Sequence, residues 1–246
     1  MLGTVVNAVA VIVGSFIGLL LGRALPARIG DSIMKGLGLC VLYIGIAGAF
    51  EGSNPLVLII SLVIGTIVGE ALDLDRLLHR LGERMEERLG ARLAPISSPA
   101  GGESIEAPSR SGKIAQGFVT ASLMFCVGAM SIVGSLQSGL TGEHTTIFIK
   151  SALDFTSSII FASQLGIGVA LSSVFILAYQ GSIVLFSHWI APLLSEAVIA
   201  EMTCAGSVII VGIALNMLGI TKLKVMNFVP AIFVAAAVQI IYMTFF

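Results

Sequence analysis

Apolar runs of near-bilayer length recur from one end of this sequence to the other, and no other feature narrows the fold so far. "GTVVNAVAVIVGSFIGLLLG", residues 3–22, and "PLVLIISLVIGTIVGEAL", residues 55–72, are two of them. About 20 consecutive apolar residues cross the hydrocarbon core as an α-helix. A transmembrane β-barrel would instead show segments of roughly ten residues alternating between apolar and polar. The pattern predicts an all-α polytopic bundle in which each helix satisfies its own backbone N–H and C=O groups. Composition agrees: only 11% of residues are charged, against about 25% in soluble domains. The N-terminus lacks a basic stretch and a small-residue cleavage site, so the first run is expected to remain as a span. Cys40, Cys126 and Cys204 lie in or beside apolar segments, where a free cysteine acts as a small hydrophobe.

Eight spans are predicted, at about residues 3–22, 34–50, 55–72, 114–136, 145–163, 168–189, 203–220 and 226–245. With this threading every lysine and arginine except Lys150 falls on one side, in the segments 23–35, 73–113 and 221–225. The excess of basic residues in cytoplasmic loops makes that side the cytoplasm and puts both termini outside. A wrong span count would have scattered these residues over both faces. The chain then divides into membrane helices at 1–72, a cytoplasmic segment at 73–113 and membrane helices at 114–246. Within the middle segment, Leu74, Leu77, Leu78, Leu81, Met85 and Leu89 share a helical face, and Arg76, Arg80, Arg84, Arg88 and Arg92 recur at every fourth position. This predicts an interfacial amphipathic helix, its arginines either meeting anionic headgroups or simply solvated. The following "APISSPAGGESIEAPSRSG" has little to bury and reads as a flexible linker.

The two halves carry a faint resemblance to each other. Gly14 and Ser15 recur as Gly181 and Ser182, and Gly45, Ile46 and Ala47 recur at the same offset as Gly212, Ile213 and Ala214. Spans 1 and 2 thus match spans 6 and 7, and Pro55 of span 3 has a counterpart in Pro230 of span 8. A second offset sets "TASLMFC" of span 4 over "TSSIIFA" of span 5. The matched spans cross in opposite directions, so the expectation is an inverted-topology repeat, helices 1–4 against a permuted 5–8. Repeats of this kind characterise secondary transporters, whose sites lie near the midplane at the repeat interface.

Polar residues inside the spans are the candidates for such a site. If spans 4 and 5 face each other, Thr120 and Ser122 would meet Thr156 and Ser158. Any one hydroxyl in a membrane helix commonly bonds its own backbone or a neighbouring helix. Gly128, Gly134, Gly166 and Gly168 nearby would permit a helix break lining a cavity. Asp154 is placed well inside span 5, where an isolated carboxylate costs about 2.5–3.5 kcal/mol on insertion scales. Lys150, one helical turn earlier, can pair with it. The pair is either a salt bridge fixing the outer end of the helix or a charge lining a permeation route. Asn7, Asn216, Gln180 and Glu70 complete the set. Each could bond a neighbouring helix, although an amide offers a ligand both a donor and an acceptor. Gly14, Gly18 and Gly22 form a ridge suited to close helix packing or a homodimer.

No phosphate-binding GxxxxGK[ST] loop, HExxH or GxSxG motif appears, so neither ATP-driven transport by this chain alone nor enzymatic activity is expected. The threading puts His79 inside and His144 and His188 outside, which separates the histidines and leaves no three-histidine metal site. No cofactor and no nucleic-acid partner are expected.

"GTIVGEAL", "FCVGAMSIVGSLQSGLTGE", "KSALDF", "FASQLGIGV" and "NFVPAI", with the first span and "LPARI", resemble the bacterial polytopic membrane-protein family of unknown function numbered 554. The resemblance covers nearly the whole chain. It implies a multi-pass protein of the prokaryotic inner membrane, of a kind often labelled as transport proteins, without naming a substrate. The family pattern falls here on Asn7, Glu70, the turn Gly139–Gly142, Lys150, Asp154, Gln180, Gly181 and Asn216, to which it assigns no roles. The expected function is secondary transport of a small polar solute or ion, driven by a proton or cation gradient, at a midplane site between spans 4 and 5. An ion channel using the same polar line, or a non-transporting membrane scaffold, are the alternatives.

Overall fold

The computed structural model describes residues 1–24, 27–77, 80 and 110–245, and these are all-helical with no strand among them. The long helices are α1 (Leu2–Ala24), α2 (Ala27–Ala49), α3 (Pro55–Leu72), α4 (Arg110–Cys126), α5 (Ala129–Leu140), α6 (Thr145–Leu165) and α7 (Gly168–Leu185). After a short α8 (Ser187–Ile190) come α9 (Glu196–Met217), a 3₁₀ turn (Val225–Phe228) and α10 (Pro230–Phe245). Seven segments are long and apolar enough to cross a membrane, and α4 with α5 makes an eighth if the pair is one broken span. The protein is a multi-span membrane protein.

Local chemistry fixes the ends. Asn54 caps α3 by accepting from the Leu56 N–H at 3.1 Å, with Pro55 at the first helical position, where its missing N–H costs nothing. Ser195 caps α9 from the Val198 N–H. Gly166, at φ 75°, ends α6. At Gly128 φ is 125°, a region L side chains avoid, and there the fourth span breaks and bends by 61°.

Small residues determine which helices pair. Along α1, Gly3 lies against Ile147, Gly14 against Phe155 and Ser158, Gly18 against Ile159, and Gly22 against Ser163, so α1 and α6 run parallel in close contact. A side chain at Gly18 or Gly22 would collide with a main-chain oxygen of α6. The ridge expected to serve close helix packing or a homodimer is therefore filled within the chain. The other parallel pair is α7 with α4 and α5: Gly168 meets Ile114, Phe118 meets Phe175, and Gly139 meets Ser187 just beyond α7. Two antiparallel pairs complete the bundle. Gly38, Gly45, Gly48 and Gly52 descend α9 from Leu218 to Cys204, and Gly65 and Gly69 of α3 fit against Ala231 and Asn227. Of the seven unbroken spans the most enclosed is α9, with 72% of an 18-residue stretch buried against 17% for α2, so α9 is central and α2 peripheral. Leu20, Ile60 and Val174 stay exposed on the outside of the bundle, where the solvent is lipid.

Several boundaries depart from the sequence reading. Span 2 begins at Ala27 rather than 34, since Gly30 and Gly36 weaken its hydropathy without stopping the helix. Span 4 is broken rather than continuous over 114–136, and it continues to Leu140. Span 7 is Glu196–Met217 rather than 203–220, which brings Glu201 inside the bundle as a second acid besides Asp154. The arginine row beyond Arg80 and the linker up to residue 109 lie outside the described residues.

Candidate functional site

Four of the polar residues singled out in the sequence converge. One turn apart on α6, Lys150 and Asp154 face inward, and the Lys150 Nζ donates to Asp154 Oδ1 at 2.8 Å and Oδ2 at 2.7 Å. From α1, the Asn7 amide donates to Asp154 Oδ2 at 3.0 Å and to Gln180 Oε1 of α7 at 3.3 Å. Gln180 in turn donates from Nε2 to the Ser131 hydroxyl at 3.1 Å. Ser131 sits in the first turn of α5, immediately after the break at Gly128. A single hydrogen-bonded line therefore runs Lys150, Asp154, Asn7, Gln180, Ser131 through four helices.

The whole line is withdrawn from the surface. Lys150 is 7% exposed, Asp154 5%, Ser131 1%, and Asn7 and Gln180 0%. Removing two opposite charges from water costs several kcal/mol per ion, offset only when geometry and additional hydrogen bonds are good. Both conditions hold for Asp154, which accepts from the ammonium and from an amide. The charges cancel, so the site presents a neutral dipole with amides around it. Asn7 Oδ1 is buried with no partner and remains an open acceptor. A solute anion could take the place of Asp154 at Lys150, and a solute cation could take the place of Lys150 at Asp154; the surrounding amides can orient either. At the helix break a cavity of about 30 Å³, lined in part by Cys126, Val127, Gly128 and Tyr179, has room on the order of one water.

Other candidates do different work. Thr156 is exposed and bonds back to the Ala152 carbonyl at 3.0 Å, while Ser158 bonds the Phe155 carbonyl at 2.8 Å and packs on Gly14. Thr120 and Ser122 are buried on α4. Among the described residues no hydrogen bond joins these two pairs. The expected hydroxyl patch between spans 4 and 5 is not assembled, because α6 turns its serine to α1 and its threonine outward. The polar centre lies instead among α1, α5, α6 and α7. Asn216 is a loop brace, accepting from the Leu223 N–H at 2.9 Å and from Thr221 at 2.7 Å while donating to the Leu223 carbonyl at 2.8 Å. Glu70 pairs with Lys224 at 3.7 Å, half exposed, at the edge of an apolar groove of about 760 Å³ between α3 and α9. That groove is the larger opening, but it holds none of the buried polar line.

Two polar residues escaped the sequence reading. Ser131 looks like any membrane serine until the break beside it and the facing Gln180 are known. Glu201 is 1% exposed and accepts through Oε1 from the Ser53 and Asn54 N–H groups, each at 2.8 Å. The acidic residue itself was the available signal, hidden by a span drawn too short.

Comparison with known proteins finds relatives along nearly the whole chain. The chain is 28% identical over 242 residues to the uncharacterized membrane protein YdfK of Bacillus subtilis, covering 97% of this chain and 95% of YdfK. It is 27% identical over 234 residues to the uncharacterized protein YqgA of Escherichia coli, covering 95% of this chain and 94% of YqgA. No solved structure matches. A family profile described as protein of unknown function (DUF554) matches residues 2–240. The chain belongs to this family, DUF554.

Proposed function

We propose that the protein is a secondary transporter of a small polar solute or ion, coupled to a proton or cation gradient, with Lys150 and Asp154 at the transport site. One observation carries the reading: a buried ion pair is tied by side-chain amides to two other helices and, through Gln180, to the first turn after a helix break. Ionisable groups inside membrane spans are costly, face the bundle interior and mark solute and ion pathways. Broken helices at the bilayer midplane are where transporters bind. The reading is non-catalytic.

Helix pairing supports an inverted repeat. If span 1 corresponds to span 6 and span 5 to span 4, the parallel pair α1 with α6 maps onto the parallel pair α7 with α4 and α5. The pairs α2 with α9 and α3 with α10 map onto themselves. The basic residues Arg28, Lys35, Arg76, Lys222 and Lys224 gather at the ends expected to face the cytoplasm of a prokaryotic inner membrane, which leaves both termini outside. At 5–7% exposure the ion pair is occluded, which favours a carrier over an open channel.

The test is uptake into liposomes of purified protein, using a panel of radiolabelled carboxylates, amino acids and inorganic ions with an imposed proton or sodium gradient. At least one solute is expected to accumulate with the gradient, and Asp154→Asn should abolish that accumulation while the protein stays monodisperse. Accumulation unchanged in Asp154→Asn would remove the carboxylate from the mechanism.

A further inference from the structure

The bundle holds a second buried acid with a different electrical environment. Glu201 lies in the second turn of α9, 1% exposed, and projects onto the connection between α2 and α3. Its Oε1 takes both backbone N–H groups at the start of α3, those of Ser53 and Asn54 at 2.8 Å, and the Ser53 hydroxyl at 3.3 Å. Its Oε2 is buried with no hydrogen-bond partner and lies beside Gly52. Among the described residues no lysine, arginine or histidine pairs with it.

The contrast with Asp154 is informative. There a lysine balances the charge; among the described residues no cation pairs with Glu201, and one of its carboxylate oxygens is buried without a partner. A buried acceptor left unmatched costs about 1–3 kcal/mol, more when charged; a glutamine would bond the same two amides through its carbonyl and set an NH2 group with no acceptor where Oε2 now lies. What a glutamine cannot do is take up and release a proton. A metal cation would need several oxygens around it, and among the described residues no cluster of three or more His, Cys, Asp or Glu side chains could hold one. A proton needs one lone pair, and Oε2 offers it.

We propose that Glu201 is the coupling-proton site of the transporter, an inference that rests on the transport reading for its purpose but not for its chemistry. Protonation at Oε2 forms one O–H bond and discharges the carboxylate. Oε1 then accepts from Ser53 and Asn54 as a neutral carbonyl, and the hold on the start of α3 weakens. The titratable groups around Glu201 are Cys204 on its own helix and Glu51 in the facing connection, while Cys126 of α4 lies toward Lys150 and Asp154 instead. None of these brings a positive charge. Glu51 is exposed, as are Glu70, Glu143 and Glu196, so Glu201 is the one buried glutamate among the described residues.

The experiment is infrared difference spectroscopy between acid and neutral pH on the full chain in lipid vesicles, with no solute and no gradient. A protonated carboxyl band at the frequency of a dry environment is expected, shifted when the wild-type protein carries ¹³C-labelled glutamate, absent in Glu201→Gln and retained in Asp154→Asn. Hydrogen exchange of residues 51–56, corrected for the intrinsic pH dependence, should rise at acid pH in the wild type and be pH-independent in Glu201→Gln. The isotope label needs no substitution, so poor folding of the variant leaves the test standing. Absence of the band, a band insensitive to labelled glutamate, or a band persisting in Glu201→Gln overturns the assignment. Because no transport is measured, such a failure is separate from any failure of the uptake assay.

Discussion

Replacing Lys150 by methionine isolates what the buried ion pair contributes. The substitution keeps volume and removes both short bonds to Asp154, at 2.7 and 2.8 Å, leaving the carboxylate 5% exposed with only the Asn7 amide at 3.0 Å. Breaking a buried pair on one side typically costs about 3–5 kcal/mol. A second route gives a similar limit: if the stranded carboxyl takes up a proton instead, doing so at pH 7 from the reference pKa of about 3.9 costs about 4 kcal/mol. The single substitution is therefore expected to lower stability by roughly 4 kcal/mol. Replacing both members, Lys150→Met with Asp154→Leu, removes the desolvation cost along with the attraction and should return stability to within about 1–2 kcal/mol of wild type or above it. Reversible unfolding in mixed micelles, followed by circular dichroism, measures both. A single-variant loss below about 1 kcal/mol, or a double variant as unstable as the single, would refute the reasoning that the pair is buried, neutral and dispensable for folding. Recovery of stability without recovery of uptake would separate function from fold.

The remaining expectations concern packing and the loop. Gly18→Val drives a side chain into the Ile159 carbonyl and should cost about 1–3 kcal/mol, whereas Gly36→Ala, with open space around it on α2, should be neutral or stabilise by up to about 1 kcal/mol in the same unfolding assay. Asn216→Ala removes three bonds to the 221–223 loop and should cost about 1–3 kcal/mol while gradient-driven uptake per folded molecule is unchanged. A selective loss of uptake in that variant would return Asn216 to the site.

Span positions were legible because lipid as a solvent leaves few choices: apolar length and the placement of Arg28, Lys35, Lys222 and Lys224 specify most of the threading. Lys150 and Asp154 were legible as a pair because helical geometry alone brings residues four apart together. Asn7 and Gln180 were conspicuous one at a time, but that one amide bonds the other follows from α1 lying against both α6 and α7, which no periodicity reveals. The glycine ridge on α1 announced close packing without naming α6 as the surface it meets. Hydroxyls misled, since Thr156 and Ser158 satisfy themselves on their own backbone and similarity between two short segments does not make them touch. Asn216 was placed in the site although Thr221 and Leu223, both within seven residues, already offered it a local role. Hydropathy windows drew span 7 from residue 203, and that small error hid Glu201.

The central claim is that the Lys150–Asp154 line faces the two sides of the membrane in turn. Its most direct test uses the full chain with Cys40, Cys126 and Cys204 replaced and a single thiol installed by Ser131→Cys, where the hydroxyl now accepts from Gln180 at 3.1 Å. Membrane-impermeant thiol reagents are applied from each side of sealed vesicles, with and without the transported solute and its gradient. The account predicts labelling from one side in one condition and from the other side in the other, never from both at once. A thiol unreachable from either side in every condition would make the protein a scaffold, and one reachable from both sides at once would make it a pore; either result contradicts the account.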